Sequence, residues 1–309
     1  MRASFISSLI DLAKNDERIF LLVGDVGYSL VEPFAQEFPS RFINIGIAEQ
    51  NTIGVATGLA LTGKIVFVYS LANFPTLRCL EQIRNDICYH DANVKIVSSG
   101  AGLAYGSLGA THHATEDVSI MRALPNMTVI TPSDSVEASL ATKAMAHWSS
   151  PCYLRLSKTG EPIINREIPD FQIGKAIRIR DGSDITLIGS GAILYNVIQA
   201  AQQLEENGIK ARVLSMHTIK PLDNEEILTA ARDTNAIITI EEHSIIGGLG
   251  SAVAEVLTEG KMNVSFMRMG IPDTFCKQVG NQDFLRAIYS ISVDGITSSV
   301  MNLLGGGIR

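Results

Sequence analysis

Two hydrophobic patterns alternate along this chain. Compact apolar runs read as strands: IFLLVGD (19–25), KIVFVYS (64–70), VKIVSSG (94–100) and MTVITPS (127–133). Segments of helical length separate them. The first carries Phe5, Leu9, Ile10, Leu12 and Ala13 on an amphipathic pattern and predicts a helix at the start of the chain. Ser133 or Asp134, with Glu137 at capping-box spacing, marks the start of another. Strands this uniformly apolar are buried on both faces, and their alternation with helices predicts a parallel sheet covered by helices.

The pattern breaks over residues 157–176, SKTGEPIINREIPDFQIGKA, where two prolines and mixed charge leave no clear period. A second α/β series follows. Its strands are DITLIGSG (184–191), KARVLSMH (210–217), AIITIEE (236–242) and NVSFMRMG (263–270). Helices are expected through Gln199 to Asn207, from about Ser251 to Thr258, and from Asp294 to Leu304. The expected organisation is an α/β chain of two domains, each a mostly parallel sheet covered by helices. The domains are residues 1–160 and 177–309, joined by a linker over 161–176. No fixed-period repeat occurs, and Gly305-Gly306-Gly307 is the only low-complexity tract.

Composition narrows the function classes. With 309 residues, 46% hydrophobic and 18% charged, either half can build a core, and an obligate oligomer is compatible with the same numbers. A formal charge of −7 argues against a nucleic-acid footprint, which needs clustered Lys and Arg. No apolar run reaches the roughly 18 residues of a membrane span. The N-terminal segment reads as a folded helix, not a signal peptide. Cys79, Cys88, Cys152 and Cys276 form no C-x-x-C pair, which suits free buried thiols in a reducing compartment, the cytoplasm.

Glu49 is the most unusual acid. In NIGIAEQN (44–51) it stands between a strand-like run and a small, apolar helical stretch, residues 52–61. It is either a helix-start acid facing the positive end of the dipole or a buried carboxyl used in proton chemistry. His112 and His113 lie in YGSLGATHHATED (105–117), a Gly-rich loop entering a helix. His112 with Glu116 has metal-ligand spacing, but no further ligands are evident. The loop is either a surface loop or one that binds an oxygen-rich substrate. Phe74 in YSLANFPTLR is an aromatic of the kind that commonly only packs. Gly189-Ser190-Gly191 follows a strand, but Leu194 stands where a dinucleotide fingerprint needs Gly or Ala, so that reading is rejected.

Taken in order, the motifs resemble the C-terminal half of transketolase and of 1-deoxyxylulose-5-phosphate synthase, both thiamine-diphosphate enzymes. The resemblance runs through GDVG (24–27), GIAEQN (46–51), YSLANF (69–74), GATHHATED (109–117), MRALPNMTVITPSD (121–134) and YLRLSKTG (153–160). It continues through HTIKPLD (217–223), TIEEHSIIGGLGSAVAEVL (239–257) and MGIPDTF (269–275), and so covers essentially the whole chain. It implies a pyrimidine-binding domain followed by the family's C-terminal domain. Glu49 would then hydrogen-bond a ring nitrogen of the cofactor's aminopyrimidine, a task suited to a dry carboxyl. Phe74 would pack on the pyrimidine, Leu71 would stand where a second aromatic is often found, and Asp25 would lie near the thiazolium. His112 would contact substrate, Lys158 would bind its phosphate, and Ser29, in the loop after GDVG, is a further substrate-binding candidate.

Three departures bear on the substrate. Leu108 replaces an Asp of the sugar-handling enzymes, Gly100 replaces a substrate-contacting histidine, and Lys158 replaces an Arg, losing the bidentate fork. An unusual ketose or ketose derivative is therefore expected. The chain contains no Gly-Asp-Gly motif. In the family that motif, on a preceding domain, holds the diphosphate and Mg²⁺, so this chain is expected to ligate no metal itself. The resemblance thus implies one subunit of a split transketolase, a transferase of aldehyde or ketone residues. It would move a two-carbon ketol unit from a ketose donor to an aldehyde acceptor, with thiamine diphosphate bound across the interface to a diphosphate-binding partner that holds Mg²⁺. An α₂β₂ assembly is expected in which this chain also pairs with itself, with Gly247–Ala252 offering a small-residue surface for close approach. Two alternatives stand beside this reading. The beta subunit of a 2-oxo-acid dehydrogenase has the same architecture and an acid-Gln pair like Glu49-Gln50, and would act with lipoamide. A non-catalytic partner-binding subunit would not bind the cofactor even with the partner present.

Overall fold

The computed structural model describes residues 1–71, 73–158 and 160–305. The first series begins with α1 (Arg2–Asn15), β1 (Ile19–Val23), α2 (Glu32–Glu37), β2 (Phe42–Asn44), α3 (Glu49–Leu61) and β3 (Ile65–Leu71). It continues with α4 (Phe74–Leu77), α5 (Leu80–Gln82), β4 (Val94–Ser99), α6 (Asp117–Ala123), β5 (Thr128–Ile130), α7 (Ser135–Ala146) and β6 (Cys152–Leu156). These strands run parallel in the order β5-β6-β4-β3-β1-β2. Successive side chains point to opposite faces, so each strand feeds two cores. Leu21 and Phe67 meet Phe5 and Leu9 of α1 and Met145 of α7 on one face. Leu22, Val66 and Val68 meet Ile53 and Ala56 of α3 on the other. Asp134, not Ser133, caps α7, accepting from the backbone N–H groups of Val136 and Glu137 at 2.9 and 2.8 Å. Glu137 reaches back to the Ser133 N–H at 2.7 Å.

The second series runs β7 (Ile177–Arg180), β8 (Ile185–Ser190), α8 (Leu194–Glu206), β9 (Ala211–Ser215), β10 (Thr218–Lys220) and α9 (Asn224–Asp233). It ends with β11 (Ala236–Ser244), α10 (Leu249–Glu259), β12 (Ser265–Ile271), α11 (Gln282–Ile288) and α12 (Val293–Gly305). Five strands pair in the order β12-β11-β8-β9-β7, parallel except for the edge strand β7, which runs antiparallel to β9. The two sheets are joined by more than the linker. Although β10 follows β9 in the chain, it leaves the second sheet and pairs antiparallel with β5, closing that edge of the first. The described residues of 157–176 form neither helix nor strand, yet they are pinned. The Asp134 carboxylate accepts from Ile164 and Asn165 N–H, and Phe171 stacks on His217 at 4.0 Å.

One expectation is overturned here. Gly247–Ala252 does not offer a surface for self-contact, because its small residues are consumed inside the chain. A Cβ on Gly247 would come within 2.7 Å of Ser119, and one on Gly250 within 2.7 Å of Arg268. Gly248 lies against the Glu241 carboxylate, which accepts from Leu249 and Gly250 N–H and so caps α10. Among the described residues no helix is long and apolar enough to cross a membrane, and all four cysteines are free and buried.

Candidate functional site

Parallel strands bring all their C-terminal ends to one edge, and that edge is the usual ligand crevice of an open sheet. Here β1 delivers Gly24 and Asp25, β2 delivers Asn44 and the approach to Glu49, and β3 delivers Leu71 and Phe74. The strand β4 opens into the loop that carries His112, and β6 ends just before Lys158. Asn44 ties the first two loops together. Its side-chain oxygen accepts from Asp25 N–H and Gly46 N–H, both at 3.0 Å, and its amide donates to the Asp25 carboxylate at 3.1 Å. Asp25 and Gly46 adopt φ of 57° and 79°, the left-handed turns that let both loops fold back toward α3.

Glu49 opens α3 and is 6% exposed, so it is both a helix-start acid and a buried one. Below it lies a notch too narrow to admit a water molecule, lined in part by Gly24, Ile53, Val68, Ser70 and Pro75. The Ser70 hydroxyl is buried there without a hydrogen-bond partner. Glu49 also has a partner that the sequence did not reveal. Arg78 Nη1 donates to Glu49 Oε2 at 2.7 Å, an ion pair that ties the end of α4 to the start of α3. The only sequence signal was that Arg78 lies about one helical turn beyond Phe74, on the same face.

From Arg78 a row of contacts crosses the rim. The guanidinium lies over the Phe74 ring at 5.0 Å, and Phe74 meets the His112 ring edge-on at 5.5 Å. His112 faces Tyr105 at 6.5 Å, and Lys158 Nζ lies over the Tyr105 ring at 5.2 Å. Asn73 donates to Thr111 O at 2.8 Å, holding the His112 loop against the start of α4. Glu49, Phe74, His112 and Lys158 are thus linked by one chain of contacts that runs through Arg78 and Tyr105. Leu71 ends β3 in register with Ser99, half-buried at the same rim. Ser29 does not join the row. It is exposed at φ 61°, and its N–H donates to Glu32 at the start of α2.

Two of the departures read from sequence acquire a physical setting. Gly100, at φ 101°, lies under Tyr105, whose ring fills the space that a side chain at position 100 would take. Leu108 is 53% exposed at the crown of the loop, with no charge to offer a sugar hydroxyl. The base of the loop is held by the second series. Glu242 accepts from Leu103 N–H at 2.6 Å and from Arg286 Nε at 2.7 Å. Arg155 donates to Ala114 O at 2.7 Å and to Glu242 O at 3.1 Å. His113 turns inward beneath the loop, where burial pushes its pKa down.

The donor set suits a flat nitrogen heterocycle. A buried carboxylate and an unpartnered buried hydroxyl line one notch, and the half-buried Phe74 ring lies beside Arg78, the partner of that carboxylate. Among the described residues no group of three or more His, Cys, Asp or Glu is arranged to hold a metal ion.

Known proteins share this layout. Residues 1–161 match the family described as "Transketolase, pyrimidine binding domain", and residues 174–296 match "Transketolase, C-terminal domain". A putative transketolase C-terminal section of Methanocaldococcus jannaschii is 42% identical over 304 residues, covering 97% of this chain and 95% of the relative. One of the subunits of an apulose-4-phosphate transketolase from Phocaeicola vulgatus is 39% identical, covering 98% and 97%. A 6-deoxy-6-sulfo-D-fructose transketolase subunit from a Clostridium species is 39% identical, covering 96% and 92%. Among solved structures, one described as a split gene transketolase, inactive beta4 tetramer, superposes with a TM-score of 0.91. It is 38% identical, with 98% of each chain covered.

Proposed function

The chain belongs to the transketolase family, and from that premise we propose that it is the pyrimidine-side subunit of a split, thiamine-diphosphate-dependent transketolase. The complete enzyme moves a two-carbon ketol unit from a ketose donor to an aldehyde acceptor. The observation that carries this reading is the buried carboxylate of Glu49, beside a notch with an unpartnered hydroxyl and at one end of a row that reaches Lys158. On this reading residues 1–160 form the pyrimidine-binding domain, 161–176 the linker and 177–309 the C-terminal domain.

Thiamine diphosphate, when bound, supplies the acidic thiazolium carbon on which ketol transfer depends. This chain's residues do the rest of the work on its side of the interface. Glu49 holds a proton in common with the aminopyrimidine ring nitrogen, and its burial keeps water from competing for it. Arg78, 49% exposed, pairs with Glu49 and has room to swing into solvent. Phe74 would pack against the ring, with Leu71 beside it and Asp25 near the thiazolium. His112 offers an imidazole nitrogen to a substrate oxygen, and Lys158 sits at the far end of the row as a point charge for an anionic group. The names of two relatives, an apulose-4-phosphate and a 6-deoxy-6-sulfo-D-fructose transketolase, both describe ketoses with an anionic end. An anionic ketose is the substrate class that fits this arrangement.

The diphosphate and Mg²⁺ would be held by a partner: the sequence has no Gly-Asp-Gly, and relatives of matching length are named as transketolase subunits. A cofactor held between two chains fits an α₂β₂ assembly in which this chain also self-associates. That a 38% identical split-gene relative is described as an inactive beta4 tetramer supports both self-association and dependence on a partner. Four buried, unpaired thiols suit work in a reducing compartment such as the cytoplasm. The test is to co-purify the chain with its partner and screen D-xylulose 5-phosphate, D-fructose 6-phosphate and 6-deoxy-6-sulfo-D-fructose as donors. The expected result is ketol transfer from at least one donor that depends on thiamine diphosphate. Transfer from a 2-oxo acid to lipoamide instead would contradict it.

A further inference from the structure

Tyr105 is the one member of the contact row with no assigned part. Its ring sits between Lys158, 5.2 Å from the ring centre, and His112, at 6.5 Å. Its hydroxyl makes no hydrogen bond to any described residue. The ring is nevertheless held in place. Gly100 lies directly beneath it, where even a methyl group would collide with the ring. On one side of it Leu103 N–H is fixed by Glu242, and Gly102 pairs with Ala114 at 3.0 and 3.1 Å. On the other, Gly106 is buried so closely against Leu285 that a Cβ would approach to 2.7 Å. A half-buried phenol with a fixed ring and a free hydroxyl is pre-organised to bind something polar. An unpaired donor next to a cation and an imidazole matches a hydroxylated chain ending in an anion.

We propose that Tyr105 is a substrate-binding, specificity-determining residue. Its hydroxyl takes a hydroxyl of the ketose chain between the anion at Lys158 and the oxygen met by His112. The inference rests on the transketolase reading above. It also accounts for the packing at Gly100: the glycine makes room for a phenol that reaches the substrate from the neighbouring loop.

The test uses the assembly of this chain with its diphosphate-binding partner and the best donor among the three named above. Tyr105→Phe keeps the ring and its packing and removes one neutral hydrogen bond, so KM for that donor should rise by about fivefold to tenfold while kcat changes little. Inhibition by inorganic phosphate, which probes Lys158 alone, should stay within about twofold, the margin expected when no hydrogen bond is lost. Thiamine diphosphate affinity and melting temperature should match those of the wild type. Tyr105→Ala should raise KM further and leave cofactor affinity unchanged. An unchanged KM in both variants overturns the inference. So does a matching loss of phosphate inhibition or of cofactor binding, which would mean that Tyr105 only supports its neighbours. A wild-type assembly that neither binds thiamine diphosphate nor turns over any donor overturns the family-based reading, and this inference with it.

Discussion

Glu49 shows how one residue can satisfy two sequence readings and still surprise. Its place at the first turn of α3 and its burial both follow from the apolar segments on either side. The Arg78 pair does not, because it depends on how α4 turns back over α3, a tertiary fact no local pattern carries. Glu49→Gln in the assembled enzyme should lower kcat by at least about a hundredfold, the range of a positioned acid–base group. Fold and assembly should persist, since the amide has nearly the same volume. Steady-state kinetics beside a thermal melt checks this, and retention of more than half the activity would contradict the role. His217 makes a second residue-scale prediction. Burial under Phe171 pushes its pKa down to about 4, so between that value and about 6.5 the unfolded chain binds a proton that the folded chain does not. Stability is therefore lost as pH falls through this window, by about 2 kcal/mol between pH 7 and pH 5 from this group. Urea unfolding at the two pH values should show that loss in the wild type and a clearly smaller one in His217→Asn.

At the scale of elements, legibility tracked burial and length. Strands such as β3 and β4 announce themselves by their apolar runs, because both faces are buried, although β4 also buries Lys95, Ser98 and Ser99. The strand β7, with sequence IRIR, is an edge strand with Arg178 exposed and Arg180 half-buried, and β10 is three residues long and paired with the other sheet. Neither leaves a local signal. The loop over 101–116 was recognisable by motif but not by shape, since its geometry is set by Glu242 and Arg286 far along the chain. Helix α3 poses a different question. Gly54 and Gly58 sit in its interior, exposed, with nothing within 4 Å of where a Cβ would be. Interior helical glycines each cost roughly 0.5–1 kcal/mol relative to alanine, so the isolated chain gains nothing from them. Gly54→Ala with Gly58→Ala should raise the melting temperature of the isolated chain. If α3 packs closely on another subunit, the same pair should weaken the assembly, a shift that light scattering of the mixture would register.

At the scale of the whole molecule, two domains are stitched by β10, by the pinned linker and by the Glu242–Leu103 bond, so the second domain shapes the first domain's rim. The sequence contains no Gly-Asp-Gly, and the proposed function puts the pyrimidine side of the site on this chain and the diphosphate side on a partner subunit. The most direct measurement is two-carbon ketol transfer, with thiamine diphosphate and Mg²⁺ supplied, by this chain alone, by the diphosphate-binding subunit alone and by the two mixed. The account predicts transfer only in the mixture, reaching a maximum at equal amounts of the two chains. Full activity from this chain alone, or none from a mixture that co-elutes as one assembly, would contradict it.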